Sequence, residues 1–332
     1  MANNLEEIGF PAVTNERAKE VTQFTNLQRC ELIVTDACNL RCVYCKGLSK
    51  KNYSNINKFD AASIIEEWIK GGLQHASFSG GEPLCNPHMS FYINMLKQRG
   101  TPFISISTNG TFPIEKYMEL VELGVTHFAI SIDGMDAAIV DVLAGVPGTW
   151  NKVVKNVKAL SKCSYVTASI VFTELNVHQA PEIISFVHSL GVADIRFSSA
   201  VQFNKLIPQM EKISKEILEC HPILKYRVNN LISGRNMRGN NSNKRCWIPL
   251  DDMVVAGNRH YPCSMQLRED GIHIGDTLNK DGSQKSIEQI REERALWCKS
   301  FDCSTNKICK TCCMDFIIDY NIEVNKRKDE EK

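Results

Sequence analysis

Residues 31–45 read ELIVTDACNLRCVYC, an apolar run followed by three cysteines with the spacing C-x3-C-x2-C. The apolar run predicts a buried strand, so Cys38, Cys42 and Cys45 fall in the loop directly after it. Three thiolates in so short a loop can each bind one iron of a cubane and leave the fourth iron without a protein ligand, open to a substrate. The alternative is a structural zinc site completed by a distant residue, although zinc knuckles favour C-x2-C pairs with a second pair nearby.

Composition limits the classes of protein to which the chain can belong. It has 332 residues, 43% of them apolar, enough for one large domain or for a large and a small one. Its 39 basic and 38 acidic residues nearly cancel, so no overall charge would attract nucleic acid. The N-terminus lacks a basic-then-apolar signal, and no apolar run approaches the ~20 residues of a membrane span. We therefore expect a soluble, cytoplasmic protein without a membrane partner.

From residue 31 to 205 short apolar runs alternate with helical patterns, which predicts consecutive β-α units and a parallel sheet. Six strands are predicted: Glu31–Thr35, His75–Ser79, Phe103–Ser107, His127–Ile132, Thr167–Phe172 and Asp194–Ser198. Because a closed barrel has eight units, the predicted fold class is α/β, a partial (β/α)6 TIM-like barrel. The other predicted segments are an N-terminal extension (1–30), a helical linker (206–245), a small cysteine-rich domain (246–320) and a charged tail (321–332), of which residues 325–332 are expected to be disordered.

A glycine-rich motif, Gly80-Gly81-Glu82-Pro83, follows the second strand, at the edge where parallel barrels collect their chemistry. Together with the cysteine spacing and Tyr44 before the third cysteine, it resembles the radical S-adenosylmethionine (SAM) superfamily. The resemblance implies a 4Fe–4S cluster on the three cysteines, with SAM at its open iron cleaved reductively to methionine and a 5′-deoxyadenosyl radical. It also implies a one-electron donor such as flavodoxin or ferredoxin.

The same resemblance assigns SAM-binding roles at the strand ends. Gly80 to Pro83 would hold the methionine ammonium, the glycines letting the backbone pass close to the ligand. Contacts with the SAM carboxylate, ribose and adenosine would come from Ser107, Thr108, Asn109, Ser131, Asp133 and Asn176, with Tyr44 also against the cofactor. Asn109-Gly110 and Asp133-Gly134 are explained equally well as ordinary turns.

One position departs from the family pattern. Related enzymes often carry an arginine near the SAM carboxylate in the helix after the fourth strand, where this chain has Leu143 and Ala144. The partner of the carboxylate is therefore open. No catalytic acid or base is assigned from the sequence.

Seven of the fourteen cysteines lie from residue 246 onward. In a reducing cytosol this density indicates metal or redox chemistry rather than disulfides. Cys246 and Cys263 flank a predicted hairpin, and four thiolates from this segment can enclose a second cubane. The arrangement is similar to the SPASM and Twitch extensions of radical SAM enzymes, which carry two auxiliary clusters and one, respectively.

The C-x2-C-x5-C-x3-C string of those extensions is incomplete here, because Ser300 stands at its first position before Cys303, Cys309 and Cys313. We therefore predict one auxiliary 4Fe–4S cluster, held by Cys246 and Cys263 and completed by Cys309 with Cys312 or Cys313. Zinc is the alternative, since spacing does not separate an S4 zinc site from iron–sulfur. Most of the isolated cysteines are expected to be buried apolar thiols; they are Cys30, Cys85, Cys163 and Cys220.

The sequence leaves the substrate open. One candidate is a peptide side chain, oxidised or modified with help from the auxiliary cluster, although Ser264 follows Cys263 where sulfatase maturases place an acidic base. Another is a small alcohol, sugar or cyclitol to be dehydrogenated or epimerised. A purine nucleotide ranks third, because the chain ends DEEK without the terminal diglycine of the molybdopterin-pathway enzyme. A metal-binding interaction module is the non-enzymatic alternative.

Overall fold

The computed structural model describes residues 16–46, 55–200, 203 and 205–330, so most of the predicted N-terminal extension lies outside the described residues. The strands are β1 (Arg29–Thr35), β2 (His75–Gly80), β3 (Phe103–Thr108), β4 (His127–Ser131), β5 (Tyr165–Phe172), β6 (Asp194–Ser199), β7 (Asp252–Ala256), β8 (Arg259–Tyr261) and β9 (Gly275–Asp276). The helices are α1 (Glu16–Glu20), α2 (Lys58–Lys70), α3 (Met89–Gln98), α4 (Ile114–Leu123), α5 (Ala137–Ala144), α6 (Thr149–Leu160), α7 (Ala180–Ser189), α8 (Lys215–Cys220), α9 (Pro222–Ile232), α10 (Ser264–Arg268), α11 (Ile287–Ser300), α12 (Lys307–Cys312) and α13 (Asp315–Glu330). None of the helices described between residues 16 and 330 is long and apolar enough to cross a membrane.

The first of two compact units contains residues 38–45 and 105–237. Its strands lie in the order β6-β5-β4-β3, and each neighbouring pair is parallel. Alternate side chains, such as Ile130, Ile170 and Phe197, are fully buried beneath the helices. The polar residues between them face the other way and stay half-buried; they include Ser107, Ser131, Ser169 and Arg196.

Of the described residues, the second unit contains 16–37, 46, 55–104 and 238–330. Its strand order is β2-β1-β7-β8-β9. Leu32 of β1 pairs with Phe78 of β2 on one side and with Val255 of β7 on the other, both in parallel. The cysteine-rich segment thus extends the sheet directly from β1, and its first two strands, β7 and β8, form the predicted antiparallel hairpin.

The parallel β-α units confirm the predicted α/β fold of a partial TIM-like barrel, and every predicted strand lies within two residues of an observed one. The predicted division of the chain at residues 205 and 245 stays a prediction, since the two compact units group its segments differently.

The C-terminal tail differs from the expectation of disorder, because α13 continues through Glu330. Tyr320 and Val324 on this helix are buried, and Arg327 donates hydrogen bonds to the Ala18 and Val21 carbonyl oxygens over 3.0 and 2.7 Å. Composition indicated disorder because it counts charges without their positions. Packing of one helix face against α1 outweighs that tendency.

Candidate functional site

The loop after β1 brings together the three predicted cluster cysteines. The Cys45 amide donates to the Cys42 carbonyl over 3.0 Å, a tight turn within the motif. Burial, followed by the charges of Asp133, Cys45 and Cys38, raises the pKa of the Cys42 thiol to about 12. A thiol of this kind ionises near neutral pH only when a cation neutralises the group, as iron or another thiophilic metal would.

The backbone of this loop is fixed to the end of α5. The Arg41 amide donates to the Ala144 carbonyl and the Val43 amide to the Leu143 carbonyl, both over 2.9 Å. These carbonyls lack partners within the helix because they belong to its last turn. Leu143 and Ala144, which stand where related enzymes often carry an arginine, therefore hold the cysteine loop through their main-chain carbonyl oxygens.

Gly145, which ends α5, makes this contact sterically possible. Its φ is +66°, and a Cβ atom there would lie 2.6 Å from the Arg41 carbonyl oxygen. Both the left-handed conformation and the close approach require glycine. In the sequence, Gly145 is recognisable only as a glycine that follows a short apolar helix. Its contact with the Arg41 carbonyl is not predictable from the sequence.

Asp133, two residues beyond β4, joins the cysteine loop to β5. Its Oδ2 accepts a hydrogen bond from the Tyr44 hydroxyl over 2.5 Å, and its Oδ1 accepts one from the Val171 amide over 2.7 Å. Burial raises the pKa of this carboxyl to about 6, while the two hydrogen bonds oppose the rise. The predicted SAM-contacting pair Tyr44 and Asp133 is thus engaged internally.

Asn176 is also committed to the protein. Its Nδ2 donates to the Asp133 and Val171 carbonyl oxygens over 2.8 and 2.9 Å, and its Oδ1 accepts from the Thr173 amide over 2.7 Å. An asparagine amide has two N–H donors, and both are used here. Contact between Asn176 and adenosine stays a prediction. The Nδ2 group could make it only by giving up its hydrogen bonds to Asp133 and Val171.

The end of β3 combines turn chemistry with a contact to the cysteine loop. Asn109 Oδ1 accepts from the Thr111 amide over 3.1 Å, and its Nδ2 donates to Asn39 Oδ1 over 2.7 Å. Thr108 Oγ1 accepts from the Gly110 amide over 3.2 Å. The ordinary-turn interpretation of Asn109-Gly110 therefore holds, and Asn109 in addition orients the residue after Cys38. Ser107 and Ser131 lie half-buried on their strands.

The glycine motif lies against the backbone that leads into the cysteine loop. The Gly81 amide donates to the Thr35 carbonyl and the Glu82 amide to the Ala37 carbonyl, both over 2.8 Å. A Cβ on Gly80 would lie 2.1 Å from the Thr35 oxygen, and one on Gly81 would lie 2.4 Å from the Ala37 oxygen. Close approach of two main chains thus requires both glycines, and the approach of this segment to a ligand stays a prediction.

Glu82 and Pro83 begin a short 3-10 turn, Pro83–Cys85. Glu82 is fully buried, and its Oε1 accepts from the Leu84 amide over 3.2 Å. Its predicted role toward the methionine ammonium stays a prediction.

Five cysteines of the C-terminal segment line one pocket; they are Cys246, Cys263, Cys303, Cys309 and Cys313. Hydrogen bonding with Cys303 lowers the pKa of the Cys246 and Cys309 thiols, and the same interactions raise the pKa of the Cys303 thiol. Burial, with the charges of Cys246 and Cys309, raises the pKa of Cys263 to about 12. The pocket thus offers sulfur donors from four separate stretches of chain.

The position of the pocket favours Cys313 over Cys312 as a cluster ligand. Cys313 lines the pocket, whereas Cys312 lies with its sulfur 3.5 Å from Thr311 Oγ1 and does not line it. Cys303 was not assigned as a ligand from the sequence. It could have been, because Cys303 fits the second cysteine of the C-x2-C-x5-C-x3-C pattern. Within the described part of the chain, no three Cys, His, Asp or Glu side chains are arranged to hold a single metal ion.

The isolated cysteines are more exposed than predicted. Cys30 is buried and Cys85 half-buried, but Cys163 and Cys220 are exposed. The last two lie at or just beyond helix ends, where an apolar neighbourhood is incomplete.

The chain is similar to known proteins in sequence and in fold. The sequence profile described as "Radical SAM superfamily" matches residues 32–187. A probable GTP 3′,8-cyclase from Sulfurisphaera tokodaii is 23% identical over 62% of this chain and 72% of its own. An AdoMet-dependent heme synthase from Methanosarcina barkeri is 30% identical over 40% of this chain and 38% of its own, so the chain spans well under half of that relative.

Two solved structures share the fold. Streptococcus suis SuiB bound to precursor peptide SuiA has a TM-score of 0.60 and 16% identity, covering 90% of this chain and 71% of its own. Native anSMEcpe with bound AdoMet and Kp18Cys peptide has a TM-score of 0.58 and 17% identity, covering 91% of this chain and 98% of its own. At these identities the likeness concerns the fold. Separately, the profile match shows that residues 32–187, which contain the cysteine loop, are similar to the radical SAM superfamily.

Proposed function

We propose that the chain binds a 4Fe–4S cluster through Cys38, Cys42 and Cys45 and uses it to cleave SAM and abstract a substrate hydrogen atom. The observation that carries this proposal is the gathering of three thiols in one loop, with the pKa of Cys42 raised to about 12 by burial and by its charged neighbours. The donor set fits a cubane that keeps one open iron. When bound, cluster and SAM together supply a 5′-deoxyadenosyl radical.

The chain's own residues hold this loop in position. Main-chain bonds to Leu143 and Ala144 fix it from one side, and Tyr44 fixes its end through Asp133. The cofactor would contact the predicted strand-end residues; they are Gly80, Gly81, Glu82, Pro83, Ser107, Thr108, Asn109 and Ser131.

The pocket of the C-terminal segment would hold one auxiliary 4Fe–4S cluster. All five candidate donors are cysteine sulfurs, and soft thiolate donors favour iron–sulfur clusters or zinc over harder ions. Cys246 and Cys263 would be ligands together with two of Cys303, Cys309 and Cys313. A cluster here would accept the electron left on the substrate after hydrogen abstraction, giving a net oxidation or modification.

For the substrate we favour a peptide side chain. The support is that SuiB and anSMEcpe, which share this fold, are seen with a precursor peptide and with Kp18Cys peptide. A purine nucleotide is the second candidate. Two relatives that are 23% and 24% identical to this chain, over 62% and 58% of its length, are named probable GTP 3′,8-cyclases. The electron donor would be a flavodoxin or ferredoxin, and the expected compartment is the cytoplasm.

Anaerobic reconstitution tests the proposal. Iron and sulfide content should correspond to two cubanes, and the reduced protein should form 5′-deoxyadenosine from SAM. Replacing Cys38, Cys42 and Cys45 together by alanine should abolish 5′-deoxyadenosine formation, whereas a Cys163→Ala, Cys220→Ala double variant, which changes exposed cysteines, should retain it. Retained activity in the triple variant, or zinc in place of iron in the wild-type loop, would overturn the assignment.

The same assay separates the substrates. Peptides encoded beside the gene, GTP and small polyols are added in turn, and the substrate is the compound that accelerates 5′-deoxyadenosine formation and changes mass. Acceleration by GTP alone would replace the peptide proposal.

A further inference from the structure

Two amide side chains lie against sulfur atoms of the C-terminal cysteine pocket. Gln266 Nε2 is 3.2 Å from Cys309 Sγ, and Asn321 Nδ2 is 3.4 Å from Cys246 Sγ. Both amides are only 1% exposed. Each of these half-buried sulfur atoms therefore has a neutral N–H donor that comes from a buried side chain.

The orientation of both amides is determined by their oxygen atoms. Gln266 Oε1 accepts from the Ile272 amide over 3.1 Å, and Asn321 Oδ1 accepts from the Trp247 amide over 2.6 Å. A backbone N–H can only donate, so it must face the oxygen of the side-chain amide. The NH2 group is then left to face the sulfur, which settles the assignment of oxygen and nitrogen in each amide.

The surrounding backbone makes room for Gln266. A Cβ on Gly271 would lie 2.0 Å from Gln266 Oε1, although the φ of this glycine is not positive. A larger residue at this position would therefore displace the Gln266 amide. Gln266 lies in α10, three residues after Cys263, and Asn321 lies in α13, so each of two separate helices directs an amide at a cysteine sulfur.

We infer that Gln266 and Asn321 are positioning residues that donate N–H···S hydrogen bonds to Cys309 and Cys246 as cluster thiolates, and so raise the reduction potential of the auxiliary cluster. The inference rests on the proposed auxiliary cluster. Reduction places additional negative charge on a cluster and its sulfur ligands, so fixed donors stabilise the reduced state more than the oxidised one. A cluster tuned in this way is better suited to accept an electron from a substrate.

The test is a redox titration of the reconstituted protein followed by electron paramagnetic resonance. Gln266→Leu and Asn321→Leu should each lower the reduced-to-oxidised ratio at a given potential by about threefold to tenfold. A tenfold change corresponds to a midpoint about 59 mV more negative for a one-electron couple. Gln266→Glu and Asn321→Asp keep size and oxygen acceptor while losing the neutral N–H donor, and should shift the midpoint in the same direction.

Asn325→Leu is the matched control. Asn325 lies one turn after Asn321 on α13, and its Oδ1 accepts from Trp247 Nε1 over 2.7 Å. Its loss should leave the midpoint unchanged, because its hydrogen bonds are to Trp247 and Asn243.

The outcomes separate this inference from the proposed function. Wild-type protein with iron for only one cubane would refute the auxiliary cluster itself. Full iron content with unchanged midpoints in the amide variants would refute the tuning role alone. Loss of one cubane from all four amide variants, with Asn325→Leu intact, would mean that the amides serve assembly and would also overturn the tuning role.

Discussion

The Tyr44 hydroxyl donates to Asp133 Oδ2 over 2.5 Å, so the residue before the third cysteine of the loop is tied to the end of β4. Tyr44→Phe should leave this carboxylate oxygen buried without its donor, at a cost of about 1–3 kcal/mol. We expect SAM to bind about tenfold more weakly, as measured by anaerobic calorimetry on iron-matched samples. Tyr92→Phe removes a buried hydroxyl from α3 and should leave SAM affinity unchanged. Equal affinities for Tyr44→Phe and wild type would mean that the pair does not position the cofactor.

The strands of the barrel were predictable because buried parallel strands are nearly continuous apolar runs bounded by polar residues. Phe103–Thr108 and Asp194–Ser199 were found in this way. The cysteine loop was predictable from its spacing alone. What the sequence could not provide was the set of main-chain contacts around that loop, since the Arg41–Ala144 bond depends on the path of two backbones.

A second consequence concerns the glycine after α5. Gly145→Ala would place a Cβ 2.6 Å from the Arg41 oxygen and should displace the cysteine loop. We expect loss of most iron from the N-terminal site and of 5′-deoxyadenosine formation. Gly148→Ala is a close control, because Gly148 also has a positive φ, +77°, but nothing within 4 Å of a Cβ. It should cost only the conformational strain, about 1–2 kcal/mol in unfolding free energy. Equal iron content in the two variants would contradict the steric role of Gly145.

The choice between two adjacent cysteines illustrates a limit of spacing arguments. Cys309 and Cys312 form a C-x2-C pair in the sequence, yet Cys312 is the last residue of α12 and does not line the pocket. Cys313 lies just beyond the helix end and lines it. Consecutive residues point in different directions, and only the helix boundary decides which of them faces the other thiols.

This geometry gives a paired prediction on iron content. If Cys313 is one of the four ligands, Cys313→Ser should lower auxiliary iron by about one cubane. Cys312→Ser should leave iron content unchanged, and because both variants carry the same change one residue apart, they control for each other. Loss of iron in the Cys312 variant alone would restore the C-x2-C assignment.

Asp194 gives the first unit a pH-dependent stability. The side chain is fully buried and accepts from the Ile195 and Ile223 amides over 2.7 and 3.3 Å, and burial raises its pKa from 3.8 to about 7. The folded state therefore holds this proton more tightly than the unfolded chain, so its contribution to stability is complete below pH 3.8 and is lost as pH rises to about 7. The unfolding free energy of the wild type minus that of Asp194→Asn should fall by up to about 4 kcal/mol over this range.

His221, whose pKa burial lowers to about 4, acts in the opposite direction but is present in both proteins, so the difference isolates Asp194. Denaturant titrations at half-unit pH steps measure this difference, and parallel curves for the two proteins from pH 4 to 7 would contradict the raised pKa.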